Sequence, residues 1–382
     1  MKHIYFDNAA STPIDPEVHR YMLELMEVSF GNPSSTHAQG RKAKVKLEAS
    51  RKSIAKNLGC LPAEIVFCSG GTEADNAAIA MAVMDLKVER IISSPMEHHA
   101  VLHAAERWAK AFNIELELLK VDAKGRIDLD QLEEKLATSP KPTLVSLMHG
   151  NNEVGNMIDL KVVGDICHAH DAYFHSDTVQ TMGHFPISLS DLPVDMVSAS
   201  AHKFHGPKGV GFLYLDRRLK VSSLITGGSQ ERGMRGGTEN IAQIGGLARA
   251  LEISCSQMAS HKEHILGLKN AFWKGIKALF PQAYANGLSD EMENSLYTVL
   301  NVSIPELSSD SMLLFNLDLK GIAASGGSAC SSGSVSQSHV ISAMNFAHTD
   351  PVIRFSFSRN NTMEEVDQVL LVLSEMKPKT VA

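Results

Sequence analysis

The chain has 382 residues, 44% of them hydrophobic and 21% charged, with a formal net charge of −7. This composition excludes a disordered, collagenous or coiled-coil protein, and the length predicts two domains, each with its own core. The acidic balance argues against nucleic acid or an anionic membrane as main partner, and no apolar run approaches the ~18 residues of a membrane span. Met1–Asp7 meets an acid without a long apolar stretch, unlike a secretory leader. The five cysteines include no C-x-x-C pair. They form neither a disulfide framework nor a zinc knuckle, and a reducing cytoplasm is expected.

From about residue 40 to 215, helical and strand patterns alternate. Residues 41–58 read as a helix with Leu47, Ile54 and Leu58 on one face and Gly59 as its stop. Strand patterns follow at 64–68, 90–93, 143–147, 172–175, 195–198 and 210–215. Helices are expected from Thr72 to about Leu86 and near 98–112, 129–137 and 159–170. Short apolar strands joined through helices predict a mainly parallel sheet covered on both faces. Beyond residue 240 a long helical region reaches about 279, followed by strands at 298–302 and 352–357. A last helix starts at Thr362, with Glu365 completing a capping box and Val366, Leu370, Leu373 and Met376 turned inward. This part reads as a smaller α+β domain.

In open parallel sheets the site lies at the carboxyl ends of the strands. After the strand ending at Cys68 comes Ser69-Gly70-Gly71-Thr72, a glycine-rich turn opening a helix and suited to phosphate. It lacks the Gly-Lys-Ser/Thr of a P-loop. After 143–147 come Asn151 and Asn152. After 172–175 come Asp177 and Gln180; the acid is either a helix N-cap or the partner of a ligand cation. After 195–198 come Ser200, His202 and Lys203, with Lys208 as the local competitor. A lysine in a Ser/His/Gly-rich turn after a buried strand suits Schiff-base chemistry. With the phosphate cup, the acid and His98 to stack on a ring, these parts point to pyridoxal phosphate.

His99 and His103 stand four apart on a helix, and His168, His170 and His175 are close in sequence. No His-Glu-x-x-His or cysteine pair accompanies them, so no metal site is expected. No Gly-x-Ser-x-Gly elbow supports a hydrolase. Cys60, Cys68, Cys167 and Cys255 read as small packing residues. Cys330 lies in Ala324-Ser-Gly-Gly-Ser-Ala-Cys-Ser-Ser-Gly-Ser334, which holds nothing to build a core. A thiol there reads as an exposed loop nucleophile or as an accidental surface cysteine.

Over nearly its whole length the chain resembles the NifS/IscS-like cysteine desulfurases of the class V aminotransferase group. The resemblance rests on motifs in family order. They include Tyr5-Phe-Asp-Asn-Ala-Ala-Ser-Thr-Pro13, Phe30-Gly-Asn-Pro-Ser-Ser35, Thr72-Glu-Ala-Asp-Asn76, Glu97-His-His-Ala-Val101 and Asn151-Asn-Glu-Val-Gly155. They continue through His202-Lys-Phe-His-Gly-Pro-Lys-Gly209, Arg232-Gly-Met-Arg-Gly-Gly-Thr-Glu-Asn240, Gly327-Ser-Ala-Cys-Ser331 and Ile353-Arg-Phe-Ser356.

The resemblance implies a fold-type-I, aspartate-aminotransferase-like α/β enzyme. Its large domain would span 15–255 and its smaller domain 1–14 with 256–382. Lys203 would carry the Schiff base, Asp177 would pair the pyridinium nitrogen, His98 would stack on the ring, and Gln180 would bond its phenolic oxygen. Gly71, Thr72, Ser200 and His202 would hold the phosphate, with Thr238 reaching the phosphate of a partner subunit in a homodimer. Asn32, Asn152 and Arg354 would hold the carboxylate of L-cysteine. Cys330 would accept its sulfur as a persulfide and pass it to an acceptor protein, such as an iron–sulfur scaffold, or toward tRNA thiolation. A selenocysteine lyase or another class V aminotransferase-type enzyme, or a sulfur carrier without catalysis, is the alternative. Longer members carry a C-terminal segment that helps dock the scaffold; here the chain stops soon after the last helix, which leaves the acceptor's identity open.

Overall fold

The computed structural model describes residues 3–307, 312–326, 338–344 and 350–377. The chain opens with β1 (Ile4–Tyr5), α1 (Pro16–Val28) and α2 (Ala38–Leu58). It then alternates β2 (Ile65–Cys68), α3 (Gly71–Met84), β3 (Arg90–Ser93), α4 (His99–Phe112), β4 (Glu115–Leu118), α5 (Leu129–Thr138), β5 (Thr143–Ser146), α6 (Leu160–Ala169) and β6 (Tyr173–Asp177). Two further strands, β7 (Met196–Ser200) and β8 (Gly211–Leu215), complete the sheet.

These strands form a seven-stranded sheet in the order β2-β8-β7-β6-β5-β3-β4. It is parallel from β4 to β7, while β8 runs antiparallel to both β7 and β2. Every residue of β2, β3, β5, β7 and β8 is buried, as a sheet covered on both faces requires. Edge strand β4, with sequence Glu-Leu-Glu-Leu, is half-buried or exposed throughout. Its alternation suits an edge but lacks the apolar run that marks the buried strands, so sequence patterning passes over it. One core face gathers Phe67, Phe174, Phe204 and Phe212; α3 and α4 cover the other with small residues such as Ala74, Ala78, Ala104 and Ala105.

The long helical region is two helices, α7 (Ile241–Ser256) and α8 (Met258–Leu279), which meet at Gln257. Beyond them come β9 (Tyr284–Ala285), β10 (Val299–Ser303), α9 (Leu313–Leu319), β11 (Ile322–Ala323), α10 (His339–Ala343), β12 (Val352–Ser356) and α11 (Met363–Glu375). An antiparallel sheet runs β12-β10-β9, and β1 returns from the N-terminus to pair in parallel with β11. A second core forms here around Phe6, Phe272, Phe355 and Phe357. The Phe6 and Phe357 rings lie 5.0 Å apart, and Phe272 and Phe355 lie 4.8 Å apart edge to face. The Thr362 capping box is present: its side chain accepts from the Glu365 N–H while Glu365 reaches back to the Thr362 N–H. Among the described residues, no helix is long and apolar enough to cross a membrane.

Candidate active site

The carboxyl ends of β2, β5, β6 and β7, together with the segment after β3, open onto one cavity of about 260 Å³. Its lining brings together Gly71, Thr72, His98, Asn152, Asp177, Gln180, Ser200, His202, Lys203 and Arg354. Asn32 and Thr238 are not on the lining and are exposed on this chain. Asn32 accepts from the Ser34 N–H at 2.9 Å. Cys330 lies outside the described residues.

Each wall follows from local structure. Helix α3 begins at Gly71 with Gly70 as N-cap, which has no side chain to accept the first N–H groups. Those donors, at the positive end of the helix, border the cavity. Gly70 needs glycine, because its φ of 154° is rarely adopted by other residues. His98 is the N-cap of α4, and its Nδ1 accepts from the Ala100 N–H at 3.1 Å. That bond makes Nδ1 the acceptor and leaves Nε2 to carry the proton of the neutral ring. Burial, with Lys203 and nearby histidines adding positive charge, lowers the His98 pKa to about 4, so the ring is neutral at pH 7.

Lys203 follows β7 in a short 3-10 turn. Its Nζ donates to the Ala9 carbonyl at 2.6 Å and the Ala10 carbonyl at 2.9 Å. Gln180 Nε2 donates to the same Ala9 oxygen at 3.0 Å. Asp177, at the end of β6, accepts from the Val179 N–H at 2.8 Å. Burial pushes its pKa up to about 6, against the Val179 hydrogen bond and the charge of Lys203. Asp75 lies on the same lining, 1% exposed, with Oδ1 lacking a hydrogen-bond partner. Burial, and then the neighbouring Asp177, hold it well above the ordinary carboxylate range.

The buried acid Asp177 and the uncapped start of α3 give this cavity one place for a cation and another for an anion. Pyridoxal phosphate, with a protonatable ring nitrogen and a phosphate, matches both, and Lys203 on the same lining supplies an amine.

The far wall comes from the second core. Arg354, on β12, is 1% exposed; its Nη1 donates to the Asn152 carbonyl at 2.9 Å and its Nη2 to Asp7 Oδ1 at 2.8 Å. Its Nε is buried without a partner.

The class-V aminotransferase family model matches residues 4–369. The chain belongs to the class-V aminotransferase family. Within it, the chain falls among the NifS/IscS-like cysteine desulfurases. It is 40% identical over 384 residues to the cysteine desulfurase IscS of Dictyoglomus turgidum, covering 99% of this chain and 95% of that one. A solved NifS-like protein superposes with a TM-score of 0.89 at 35% identity, over 98% of this chain and 99% of that one. A solved structure of SspA in complex with cysteine superposes with a TM-score of 0.82 at 32% identity, over 94% and 100%. The class-V aminotransferase enzymes use pyridoxal phosphate, the cofactor the cavity's charges fit.

Sequence reasoning gave no role to Asp7, Ala9, Ala10, Asp75, Glu153 or His339, all at or beside the cavity. Asp7 to Ala10, Asp75 and Glu153 each stand within a motif that carries the family resemblance, which was the available signal. His339 shows none: its ring lies 4.3 Å from His99, 240 residues away.

Proposed function

We propose that this chain is a cysteine desulfurase that converts L-cysteine to L-alanine and takes the sulfur as a persulfide on Cys330. The observation that carries this reading is the meeting of Lys203, Asp177, His98 and the α3 start in one cavity, faced by a buried arginine. The likeness to SspA, whose solved structure is a complex with cysteine, supports the substrate.

Gly71, Thr72, Ser200 and His202 would hold the cofactor phosphate, Asp177 its ring nitrogen, Gln180 its phenolic oxygen, and His98 would lie over the ring. When bound, pyridoxal phosphate supplies a carbonyl carbon for the substrate amine and a ring that accepts the Cα electron pair. Arg354 and Asn152 hold the substrate carboxylate, with Asn32 as the further expected contact. Lys203 Nζ accepts the Cα proton and returns a proton as the product forms. The Cys330 thiolate attacks the substrate sulfur. The Cβ–S bond breaks as the S–S bond forms, and the protonated carbon leaves as the methyl of alanine.

The protein would act as a homodimer in which Thr238 of each chain reaches the partner's phosphate; the exposure of Thr238 on this chain agrees. The sulfur would pass to an acceptor protein such as an iron–sulfur scaffold. A cytoplasmic, reducing setting fits, since Cys330 must begin each cycle as a free thiol. We also propose the division into 15–255 and 1–14 with 256–382. It is supported by Phe6 packing on Phe272 and Phe357, and by Leu247 and Leu251 of α7 in the first core.

The test is purified protein with pyridoxal phosphate and L-cysteine, with alanine and sulfide measured with and without added thiol. With added thiol, which reduces the persulfide and releases its sulfur, equal amounts of alanine and sulfide are expected; without it, sulfide should fall behind alanine. Protein that takes up no cofactor, or releases no alanine, would sink the reading.

A further inference from the structure

Strand β2 is an edge of the large sheet, so its outer side offers Phe67 N–H and Ile65 C=O no strand partner. An ion pair takes the place of the missing strand. Glu231 Oε2 accepts from the Phe67 N–H at 2.8 Å, and Arg51 Nη1 donates to the Ile65 carbonyl at 2.7 Å. The two side chains form a fork, Arg51 Nη1 to Glu231 Oε2 at 2.7 Å and Arg51 Nη2 to Glu231 Oε1 at 2.8 Å, each 2% exposed. The Arg51 guanidinium also lies 4.5 Å over the Phe67 ring.

Four residues after Glu231 the same segment grips the other side of the turn that leaves β2. Arg235 Nε donates to Glu73 Oε1 at 3.0 Å and its Nη2 to Oε2 at 3.4 Å, while Glu73 Oε2 accepts from the Ser69 N–H at 2.7 Å. Burial alone would raise the Glu73 pKa; the Arg235 and Ser69 hydrogen bonds hold it below the usual value. Between the two anchors lie Ser69, Gly70, Gly71 and Thr72. The segment is stiff. Glu231 and Arg232 both have left-handed backbone, φ 47° and 57°, and Gly236 N donates to the Ile225 carbonyl at 2.8 Å to close the loop. Two non-glycine residues in that region cost conformational energy, which the buried fork at Glu231 offsets.

We propose that Glu231 and Arg235 are positioning residues for the cofactor phosphate: the 230–237 segment is a splint that fixes the Ser69–Thr72 turn from both sides. This rests on the reading that the turn holds that phosphate. Neither side chain lines the cavity, so both act through the backbone donors of the turn.

The test compares pyridoxal phosphate with pyridoxal, which lacks the phosphate, by equilibrium dialysis against the apo-protein. If the unmodified protein binds both equally, the phosphate reading itself falls. If it prefers pyridoxal phosphate, Arg235→Gln should weaken that ligand about tenfold and leave pyridoxal within about threefold. Glu231→Gln should do the same, and Arg235→Lys should recover part of the loss. Arg235 is 28% exposed on its side chain, so its variant keeps the test alive if Glu231→Gln does not fold. Equal weakening of both ligands, or no weakening, would overturn the proposal. The loss must also persist in a Thr238→Ala background; if it vanishes there, Arg235 acts through Thr238 and not through the turn.

Discussion

Arg354, which shares a cavity lining with Lys203, forms a nearly buried ion pair with Asp7, Nη2 to Oδ1 at 2.8 Å. Asp7 precedes the carbonyls that receive Lys203, so one short turn touches both the arginine and the lysine. If Arg354 holds the substrate carboxylate, Arg354→Gln should raise KM for L-cysteine about 100-fold, the range of a lost charged, two-pronged hydrogen bond. Asp7→Asn keeps the shape but loosens the guanidinium, and should raise KM by a smaller factor. Steady-state kinetics checks both. A fall in kcat at unchanged KM would show that the pair does not bind substrate in its ground state.

Lys203 and Gln180 converge on the Ala9 oxygen, which points the amine into the cavity beside Asp177. Lys203→Ala should abolish covalent attachment of the cofactor, read by borohydride reduction and peptide mass. It should also lower kcat about a thousandfold, the share of a positioned acid–base group. A labelled peptide in the variant would transfer the role to another lysine, with Lys208 tested next.

Most of the site is legible in the sequence through the strand-end rule. Lys203 and Thr72 follow buried strands and Asp177 ends one, and buried strands announce themselves by composition and length. Residues that reach the cavity from outside the sheet carry no such signal. Asp7 arrives through β1, a two-residue strand pairing with β11 more than 300 residues later. Asp75 sits one turn into α3, where an acid reads as a solvated helix residue unless the packing of α3 on the sheet is known. The Arg51–Glu231 fork joins residues 180 apart and spans a backbone conformation that no local pattern encodes. The break between α7 and α8 is hidden for a different reason: Gln257 continues a helical composition and interrupts it by conformation alone, φ −112° and ψ 12°.

Cys330 is the proposed sulfur acceptor, and the four other cysteines offer it no competition. Burial raises the thiols of Cys68 and Cys167 far above the accessible pH range, and pushes Cys60 to about 12 and Cys255 to about 11. Such thiols hold almost no thiolate at pH 7. Cys330→Ser should keep cofactor uptake, measured by absorbance, and reduce sulfide release to background. The radiolabelled persulfide formed from 35S-cysteine should disappear with it. Label retained on the variant would locate the acceptor on another residue.

Lys269 of α8 gives a stability test far from the chemistry. It is 0% exposed, and its Nζ donates to the Leu296 carbonyl at 2.9 Å and Ser295 Oγ at 3.2 Å. Burial lowers its pKa from 10.5 to about 7, with Asp290 acting weakly in the other direction. The unfolded chain therefore binds a proton that the folded chain lacks between pH 7 and 10.5, so this group makes stability rise with pH across that window and contributes no slope below it. Lys269→Met fills the same space without the charge. The acceptor at Leu296 keeps a second donor, the Val299 N–H at 3.2 Å. The variant should be more stable at pH 7 by about 1–3 kcal/mol, in the range seen when buried charge gives way to apolar volume. It should also lose the rise between pH 7 and 10, both read from urea melts at each pH. A variant that is less stable, or that keeps the wild-type slope, would show that the ammonium is tolerated in the core by its two acceptors.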